Sequence, residues 1–196
     1  RNEKEEIYGC TLGVQDVNGF ATRDFDKPFT DVKMGTLPPK LARIMINLTG
    51  VKQGIVWDPF CGSGTILMES AVLDLDVLGS DIDPMALEYS EKNIQWLSEK
   101  GMIGNIKYDI FSLDVKNPDE KTLSKLKKTQ ISAVVCEPFM GPPQKRIVFA
   151  NRADSFLKHV AELYIGLFDI LEKVTHEGFT AVIIIPSYKT ERGWKT

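Results

Sequence analysis

The amino-acid sequence predicts an α/β fold with a mostly parallel, doubly wound sheet. From about residue 51 onward, strand-like and helix-like segments alternate, which is typical of parallel strands joined by helical crossovers. The central strands are apolar almost throughout, as expected where helices cover both faces of a sheet. Ligands of such sheets bind beyond the carboxyl ends of the strands, so those ends are the first places to look for chemistry.

The individual elements follow from the periodicity of the apolar residues and from the residues that end each segment. Near the N-terminus, Asn18-Gly19 predicts a tight hairpin turn, because this dipeptide supplies the positive φ that such a turn needs. Pro84 suits the first turn of a helix, and Gly178 suits the end of a long one. The predicted strands cover residues 7–14, 19–23, 54–60, 77–82, 106–111, 131–136 and 180–185, and the predicted helices cover residues 39–48, 64–75, 84–100, 118–128 and 153–175.

Length and composition limit the domain organisation. The chain has 196 residues, of which 43% are hydrophobic and 26% charged, and this suits one globular domain with its own core. We divide it into an N-terminal hairpin and lead-in, residues 1–50, and an α/β domain, residues 51–196. Because the sequence starts at an arginine and stops soon after a predicted strand, we expect it to be a fragment of a longer protein.

Charge and cysteine content narrow the class of protein. The formal net charge is −3, so the surface as a whole is not a basic one that grips a polynucleotide, and residues 51–130 are its most acidic part. No apolar run is long enough to cross a membrane. The cysteines, Cys10, Cys61 and Cys136, form no CxxC pair, which argues against a disulfide scaffold or zinc ribbon and favours a reducing, cytoplasmic location.

The first buried strand ends in the loop D-P-F-C-G-S-G-T, residues 58–65, and a helix follows directly. The loop lacks the lysine of a phosphate-binding loop and the third glycine of a dinucleotide fingerprint, and Asp58 would repel a diphosphate. Seventeen residues after Gly64, Asp81 ends the second strand, where a carboxylate can bind the two hydroxyls of a ribose. Together these carboxylates indicate a nucleoside that carries a positive charge, and S-adenosylmethionine fits that description.

The same motifs resemble those of the class I S-adenosylmethionine-dependent methyltransferases. The resemblance rests on D-P-F-C-G-S-G-T-I-L-M-E (58–69) and G-S-D-I-D-P (79–84), and on the lead-in segments R-D-F-D-K-P (23–28) and M-G-T-L-P-P-K-L-A (34–42). The lead-in is similar to that of the branch that methylates the exocyclic N2 of guanosine in tRNA, including the guanosine-10 enzymes. The resemblance spans about residues 7–187 and implies a Rossmann-like fold whose first 50 residues cover the cofactor. It implies a seven-stranded sheet, so we expect the last strands to be missing from this chain.

The resemblance also implies which residues bind the cofactor, whose product is S-adenosylhomocysteine. Asp58 and its glycine loop would line the methionine side, while Asp81 and Ile82 would hold the ribose and flank the adenine. Asp109, at the end of the predicted third strand, would accept from the adenine amino group. Cys61 is interpreted as part of the loop rather than as a nucleophile. The complete implied set is Asp58, Pro59, Phe60, Cys61, Gly62, Gly64, Asp81, Ile82, Asp109, Ile110, Thr36 and Leu37, with no metal.

The catalytic residues are expected at the end of the fourth strand, where the sequence reads C-E-P-F-M-G-P-P (136–143). Methyltransferases of exocyclic amines resemble one another there, with Asp or Asn, two prolines and an aromatic residue. An aryl amine is a poor nucleophile, so two acceptors must bind its hydrogens while an aromatic ring holds the base. An ungapped match places Glu137 at the carboxylate, Pro138 at the first proline, Phe139 at the second proline and Met140 at the aromatic position. A shift of one residue would restore Phe139 as the stacking ring but put Cys136 at the acceptor, so we prefer the ungapped match, which keeps the carboxylate. We predict that Glu137, Pro138 and Phe139 carry catalysis and that the longer Glu changes the target or weakens the activity.

Three functions remain open from the sequence. The first is methyl transfer to N2 of a tRNA guanosine, the second is methylation of DNA adenine N6, and the third is a non-catalytic module that binds cofactor or RNA. The family resemblance implies a tRNA partner and an N-terminal RNA-binding domain, which we expect to lie outside this fragment. Within the chain, Lys145, Arg146 and Arg152 could meet phosphates. No membrane partner is expected.

Overall fold

The computed structural model describes residues 8–30, 36–141 and 147–196. Its helices are α1 Val17–Phe25, α2 Pro39–Leu48, α3 Thr65–Ala71, α4 Pro84–Glu99, α5 Glu120–Lys128 and α6 Ala150–Val174. Its strands are β1 Ile55–Asp58, β2 Asp76–Asp81, β3 Tyr108–Ser112, β4 Ile131–Cys136, β5 Thr180–Ile183, β6 Tyr188–Thr190 and β7 Gly193–Lys195. The predicted alternation of strands and helices is confirmed from β1 to β5.

Strands β1 to β5 form one parallel sheet in the order β3-β2-β1-β4-β5. The chain runs outward from β1 to β3 and then returns to place β4 on the other side of β1. At such a reversal the crossover helices leave in opposite directions and open a crevice beyond the strand ends. Because Asp58 ends β1, Asp81 ends β2 and Cys136 ends β4, the predicted sites meet at this crevice.

Helices cover both faces of the sheet, as the apolar strands predicted. On one face, Trp57 of β1 packs with residues of α5 and α6, among them Leu126 and Leu167. On the other face, Val56 packs with α2 and α3, and a further cluster lies between α3 and α4. Successive strand residues point to opposite faces, which is why the neighbours Val56 and Trp57 are both completely buried in different clusters.

The predicted N-terminal hairpin is wrong. Residues 8–16 belong to neither a helix nor a strand, and Gly19 lies within α1 instead of in a turn between strands. The Asp16 side chain accepts from the backbone N–H of Gly19 at 2.9 Å, which caps the helix at its first turn. Asp-x-x-Gly therefore acts here as a helix start, and a buried ion pair of Arg23 described below holds the helix in place.

A short antiparallel hairpin, β6–β7, follows β5 and was not predicted. It forms a separate two-stranded sheet, so the strands after β5 do not extend the main sheet among the residues described. An isolated bridge between Val148 and Thr190 joins it to the segment before α6. Within the described ranges, none of the six helices combines the length and the apolar composition that a bilayer crossing requires.

Candidate active site

The glycine loop after β1 has a backbone that requires glycine at two positions. Gly64 has φ +85° at the start of α3, and a Cβ there would lie 3.0 Å from Ser90 Oγ and 3.1 Å from Ser90 Cα. Gly62 has φ +52°, but a Cβ on it would meet no atom within 4 Å. The loop is thus tightly packed behind Gly64 and open in front of Gly62, which leaves room for a ligand against the backbone.

Asp81 connects the end of β2 to this loop. Its Oδ2 accepts from the Gly62 N–H at 2.9 Å, and its Oδ1 accepts from the Asp83 N–H at 3.0 Å. Burial raises the pKa of Asp81, and the backbone N–H groups partly offset this rise. The predicted neighbour Ile82 is exposed beside it, so an apolar side chain and a carboxylate stand together at the strand end.

Asp58, at the end of β1, is buried with the N–H of Phe60 on its Oδ1 at 3.0 Å. Burial raises the pKa of Asp58 well above its usual range, and the nearby Asp81 and Glu137 raise it further. The fold therefore brings three carboxylates from three strand ends close enough to interact. A bound cation would relieve this repulsion, whereas a phosphate would increase it.

The loop is held from behind by α4 and by the lead-in. Ser90 Oγ donates to the Gly62 carbonyl at 2.8 Å. The Asn93 amide donates to the carbonyls of Ser63 and Phe29, both at 2.8 Å, and accepts from the Phe29 N–H at 3.2 Å. One buried side chain thus joins the lead-in to the glycine loop, a connection that the sequence did not predict.

Buried charges anchor the lead-in to α3. The Glu69 side chain is fully buried and pairs with Arg23 of α1 and with Arg43 of α2, the latter at 2.7 Å. Lys27 is also buried, and its Nζ donates to Thr65 Oγ1 at 3.0 Å, next to the glycine loop. Burial lowers the pKa of Lys27, while Asp24 and Glu69 partly restore it. Of these three cations, Arg23 and Lys27 fall in the R-D-F-D-K-P motif, for which the sequence predicted no individual residue roles.

Other predicted cofactor residues occupy varied environments. Thr36 is exposed, whereas Leu37 is buried in the cluster between the sheet and α2. Pro59 is buried, and Phe60 is half-buried against the cluster on the α5–α6 face. Cys61 is buried, its Sγ lies 3.4 Å from Ser90 Oγ, and burial raises the pKa of the thiol well above the usual range. A thiol held protonated in this way is a poor nucleophile, as the interpretation of Cys61 required.

Asp109 does not lie at the end of the third strand. It is the second residue of β3 and pairs with Leu78, whereas Ser112 is the residue opposite Asp81 at the carboxyl edge. Its carboxylate forms an ion pair with Lys125 of α5 at 2.7 Å. Ile110 pairs with Gly79 and packs half-buried among the residues between α3 and α4. Both the predicted strand, residues 106–111, and the observed β3 contain Asp109 in their interior, so Asp109 is not the strand-end carboxylate that the adenine role assumed.

The predicted catalytic segment follows β4 directly. Glu137 is half-buried, and burial raises its pKa. Pro138 is buried, and the Phe139 ring is 54% exposed at the mouth of the crevice. The predicted cluster of Lys145 and Arg146 lies outside the described residues, as do the two prolines at 142 and 143, whereas Arg152 is exposed in the first turn of α6.

Two tyrosines that the sequence did not single out support this segment and the neighbouring end of β5. Tyr188 of β6 donates its Oη hydrogen to the Met140 carbonyl, and a Cβ on the adjacent Gly141 would collide with that hydroxyl. Tyr164 of α6 donates to the Ile184 carbonyl at 2.7 Å, and burial raises its pKa, with Cys136 and Glu137 contributing further. No local motif predicts either contact, because each tyrosine is distant in sequence from the carbonyl that it bonds.

Residues 30–191 match the family described as RMKL-like, methyltransferase domain (UPF0020). A curated tRNA (guanine(10)-N2)-dimethyltransferase of Methanothermobacter thermautotrophicus is 37% identical over 108 residues, which are 55% of this chain and 28% of the relative. A type I restriction enzyme methylase subunit of Methanocaldococcus jannaschii is 31% identical over 123 residues, which are 55% of this chain and 22% of that subunit. The chain thus spans less than a third of the length of these two relatives.

Among solved structures, a precorrin 8W decarboxylase from Methanobacterium thermoautotrophicum is similar in fold. The two structures superpose with a TM-score of 0.54 at 15% sequence identity, and the superposition covers 82% of this chain and 70% of the decarboxylase chain. Identity at this level supports the architecture of the sheet and its helices and carries nothing about substrate.

Proposed function

This chain belongs to the RMKL-like methyltransferase domain family, and from that premise we propose that it transfers the methyl group of S-adenosylmethionine to N2 of a guanosine in tRNA. The carboxyl edge of the sheet would hold the cofactor, and the segment after β4 would hold the base. The observation that carries the proposal is the position of Glu137, which is half-buried at the end of β4 and interacts electrostatically with Asp58 of the neighbouring strand.

The residues at this edge fit the cofactor in shape and charge. The open space before Gly62 allows close approach to the backbone. Asp81 accepts one backbone N–H on each oxygen, and a carboxylate has about four acceptor positions, so about two remain for ribose hydroxyls. The Asp58 carboxylate would complement the charge of a sulfonium. The Lys27 ammonium donates one of its three hydrogens to Thr65, and the remaining two could bind the carboxylate of the methionine part.

The reaction asks the protein mainly to orient the amine and to accept its hydrogens. When bound, S-adenosylmethionine supplies an electrophilic methyl group. We propose that the Glu137 carboxylate and the Pro138 carbonyl accept the two N2–H groups of guanine and direct the nitrogen lone pair toward that methyl. Glu137 would also accept the N2 proton that the amine gives up when it is methylated, and the exposed Phe139 ring would stack on the base.

The experiment uses the full-length protein, methyl-labelled S-adenosylmethionine and unmodified tRNA, followed by digestion to nucleosides. Label in N2-methylguanosine is the expected result, and Glu137→Gln should reduce kcat at least about 100-fold, the size of a general-base effect. The matched control is Glu172→Gln, at an exposed position on α6. Equal kcat for parent and Glu137→Gln would remove the catalytic role proposed for this residue.

Methylation of DNA adenine N6 is the second candidate, and the similarity to a restriction enzyme methylase subunit favours keeping it. The same digestion with duplex DNA in place of tRNA separates the two, because label found in N6-methyl-2′-deoxyadenosine alone would move the target to DNA. Cofactor binding without label in either nucleic acid would support the third candidate, a non-catalytic module.

A further inference from the structure

We propose that the outer face of the β6–β7 hairpin and the adjoining start of α6 contact the unpaired RNA strand next to the target base. This inference rests on the proposed function and specifies where its substrate would lie. The surface, called here the hairpin face, is defined by the exposed residues Ile147, Phe149, Arg152, Lys189, Arg192 and Trp194.

The pairing of β6 with β7 sorts the hairpin residues into two faces. Lys189 lies directly opposite Trp194, and residues directly opposite each other in an antiparallel pair project to the same side. Tyr188 projects to the other side, where it is buried with its ring centroid 5.8 Å from that of Phe156. The hairpin thus uses one face for packing and leaves a cation and an indole side by side on the other.

Hydrogen bonds connect the hairpin to the start of α6 and to the proposed catalytic segment. The Val148 N–H donates to the Lys189 carbonyl at 3.2 Å, and the Ala150 N–H donates to the Glu191 carboxylate at 2.9 Å. On its inner side, Tyr188 donates to the Met140 carbonyl. Because this contact joins the hairpin to the segment after β4, an RNA strand bound along the outer face would continue toward the place proposed for the target base.

Charge favours a polyanion at this surface. Both carboxylates beside it are already engaged, since Glu191 caps the start of α6 and Asp154 pairs with Lys195. Arg192 is only 3.7 Å from Glu191 and its side chain remains 80% exposed. The cations of the hairpin face are Arg152, Lys189 and Arg192, and they outnumber the two neighbouring carboxylates, although the whole chain is acidic with a net charge of −3.

Exposed rings favour unpaired bases over duplex phosphates. Phe149 is 73% and Trp194 is 70% exposed. Phe149, Arg192 and Lys195 also line a cavity of about 390 Å³. An enzyme that acts on an exocyclic amine needs its base out of the helical stack, and the neighbouring nucleotides are then free to stack on aromatic side chains. A surface on which aromatic rings alternate with cations suits an unpaired RNA strand better than it suits an uncharged protein partner.

The test measures binding of unmodified tRNA by the full-length protein over a range of salt concentrations. Trp194→Ala should weaken binding by about 5- to 150-fold with little change in salt dependence, as expected for one lost stacking contact. The slope of log K against log salt is negative, and in the double variant Lys189→Ala/Arg192→Ala it should become less negative by about 1 to 2, because two phosphate contacts are lost. Matched controls are Phe168→Ala and Lys173→Ala, at exposed positions about 27 Å or more along α6 from its start.

The outcomes separate this surface from the reaction. If the hairpin variants lose tRNA affinity while no N2-methylguanosine is ever formed, the surface stands and the proposed reaction fails. If N2-methylguanosine forms and every hairpin variant binds tRNA as the parent does, the surface fails and the reaction stands. A dimeric parent that becomes monomeric in Trp194→Ala, with unchanged tRNA binding, would make this face a contact between copies and overturn the proposal.

Discussion

Replacing Glu69 by alanine should destabilise the protein more than any comparable change at its surface. The carboxylate accepts from both guanidinium groups: Arg23 contributes Nε and a longer contact at 3.4 Å, and Arg43 contributes contacts at 3.1 and 2.7 Å. The side chain of Arg23 is 5% exposed and that of Arg43 is 19% exposed. Without Glu69, Arg23 keeps its charge in a buried site, and no other carboxylate of residues 8–30, 36–141 and 147–196 forms an ion pair with it.

The expected loss is about 3–5 kcal/mol in the free energy of unfolding, the range observed when one member of a buried ion pair is removed. Urea unfolding at neutral pH measures it directly. Glu88→Ala provides the control, because Glu88 pairs with Lys92 on the surface with side chains 57% and 42% exposed, and the loss there should stay within about 1 kcal/mol.

A double variant tests the cause of the loss. In Arg23→Met/Glu69→Met the two most deeply buried charges are removed, and apolar side chains of similar length fill the site. Arg43 also loses its carboxylate partner, but its side chain is 19% exposed, so stability should recover by at least about half of the Glu69→Ala loss. Equal losses in Glu69→Ala and in the Glu88→Ala control would refute the reasoning. A double variant less stable than Glu69→Ala would show that packing, not unpaired charge, accounts for the effect.

The remaining predictions concern the site. A carboxyl with a raised pKa holds its proton to higher pH, and a sulfonium favours the ionised form of Asp58. Calorimetry would measure the affinity for S-adenosylmethionine and for S-adenosylhomocysteine, whose sulfur is neutral. The ratio of the two affinities should fall by about tenfold as pH drops through the pKa of Asp58, and a ratio that does not change with pH would contradict the contact between Asp58 and the sulfonium. Asp81→Asn should weaken cofactor binding by about 10- to 100-fold through lost charge-assisted bonds to the ribose, with Asp76→Asn as control; equal affinity would exclude the role. Tyr188→Phe should lower kcat by about tenfold at unchanged cofactor affinity, because the Met140 carbonyl loses its donor, and a loss of cofactor affinity instead would argue against a local effect.

The glycine loop and the carboxylate that ends β2 were predictable because their signals are local. A buried strand, a turn that needs positive φ and a helix start follow one another within a few residues, and each leaves its own pattern. Parallel strands share one carboxyl edge, so Asp58 and Asp81 had to approach each other once both strands were recognised. The 2.9 Å contact from Gly62 to Asp81 is the direct consequence.

Asp109 and the N-terminal segment show where local patterns fail. Alternation along a strand does not mark its last residue, so Asp109 was expected at the end of the third strand although β3 continues to Ser112. D-V-N-G is compatible with a hairpin or a capped helix, and Arg23 favours the helix by reaching Glu69, 46 residues later in the chain. Tyr188 similarly reaches Met140 across 48 residues. Such contacts depend on which elements the sheet brings together, and only the assembled fold contains that information, because no neighbouring residues encode it.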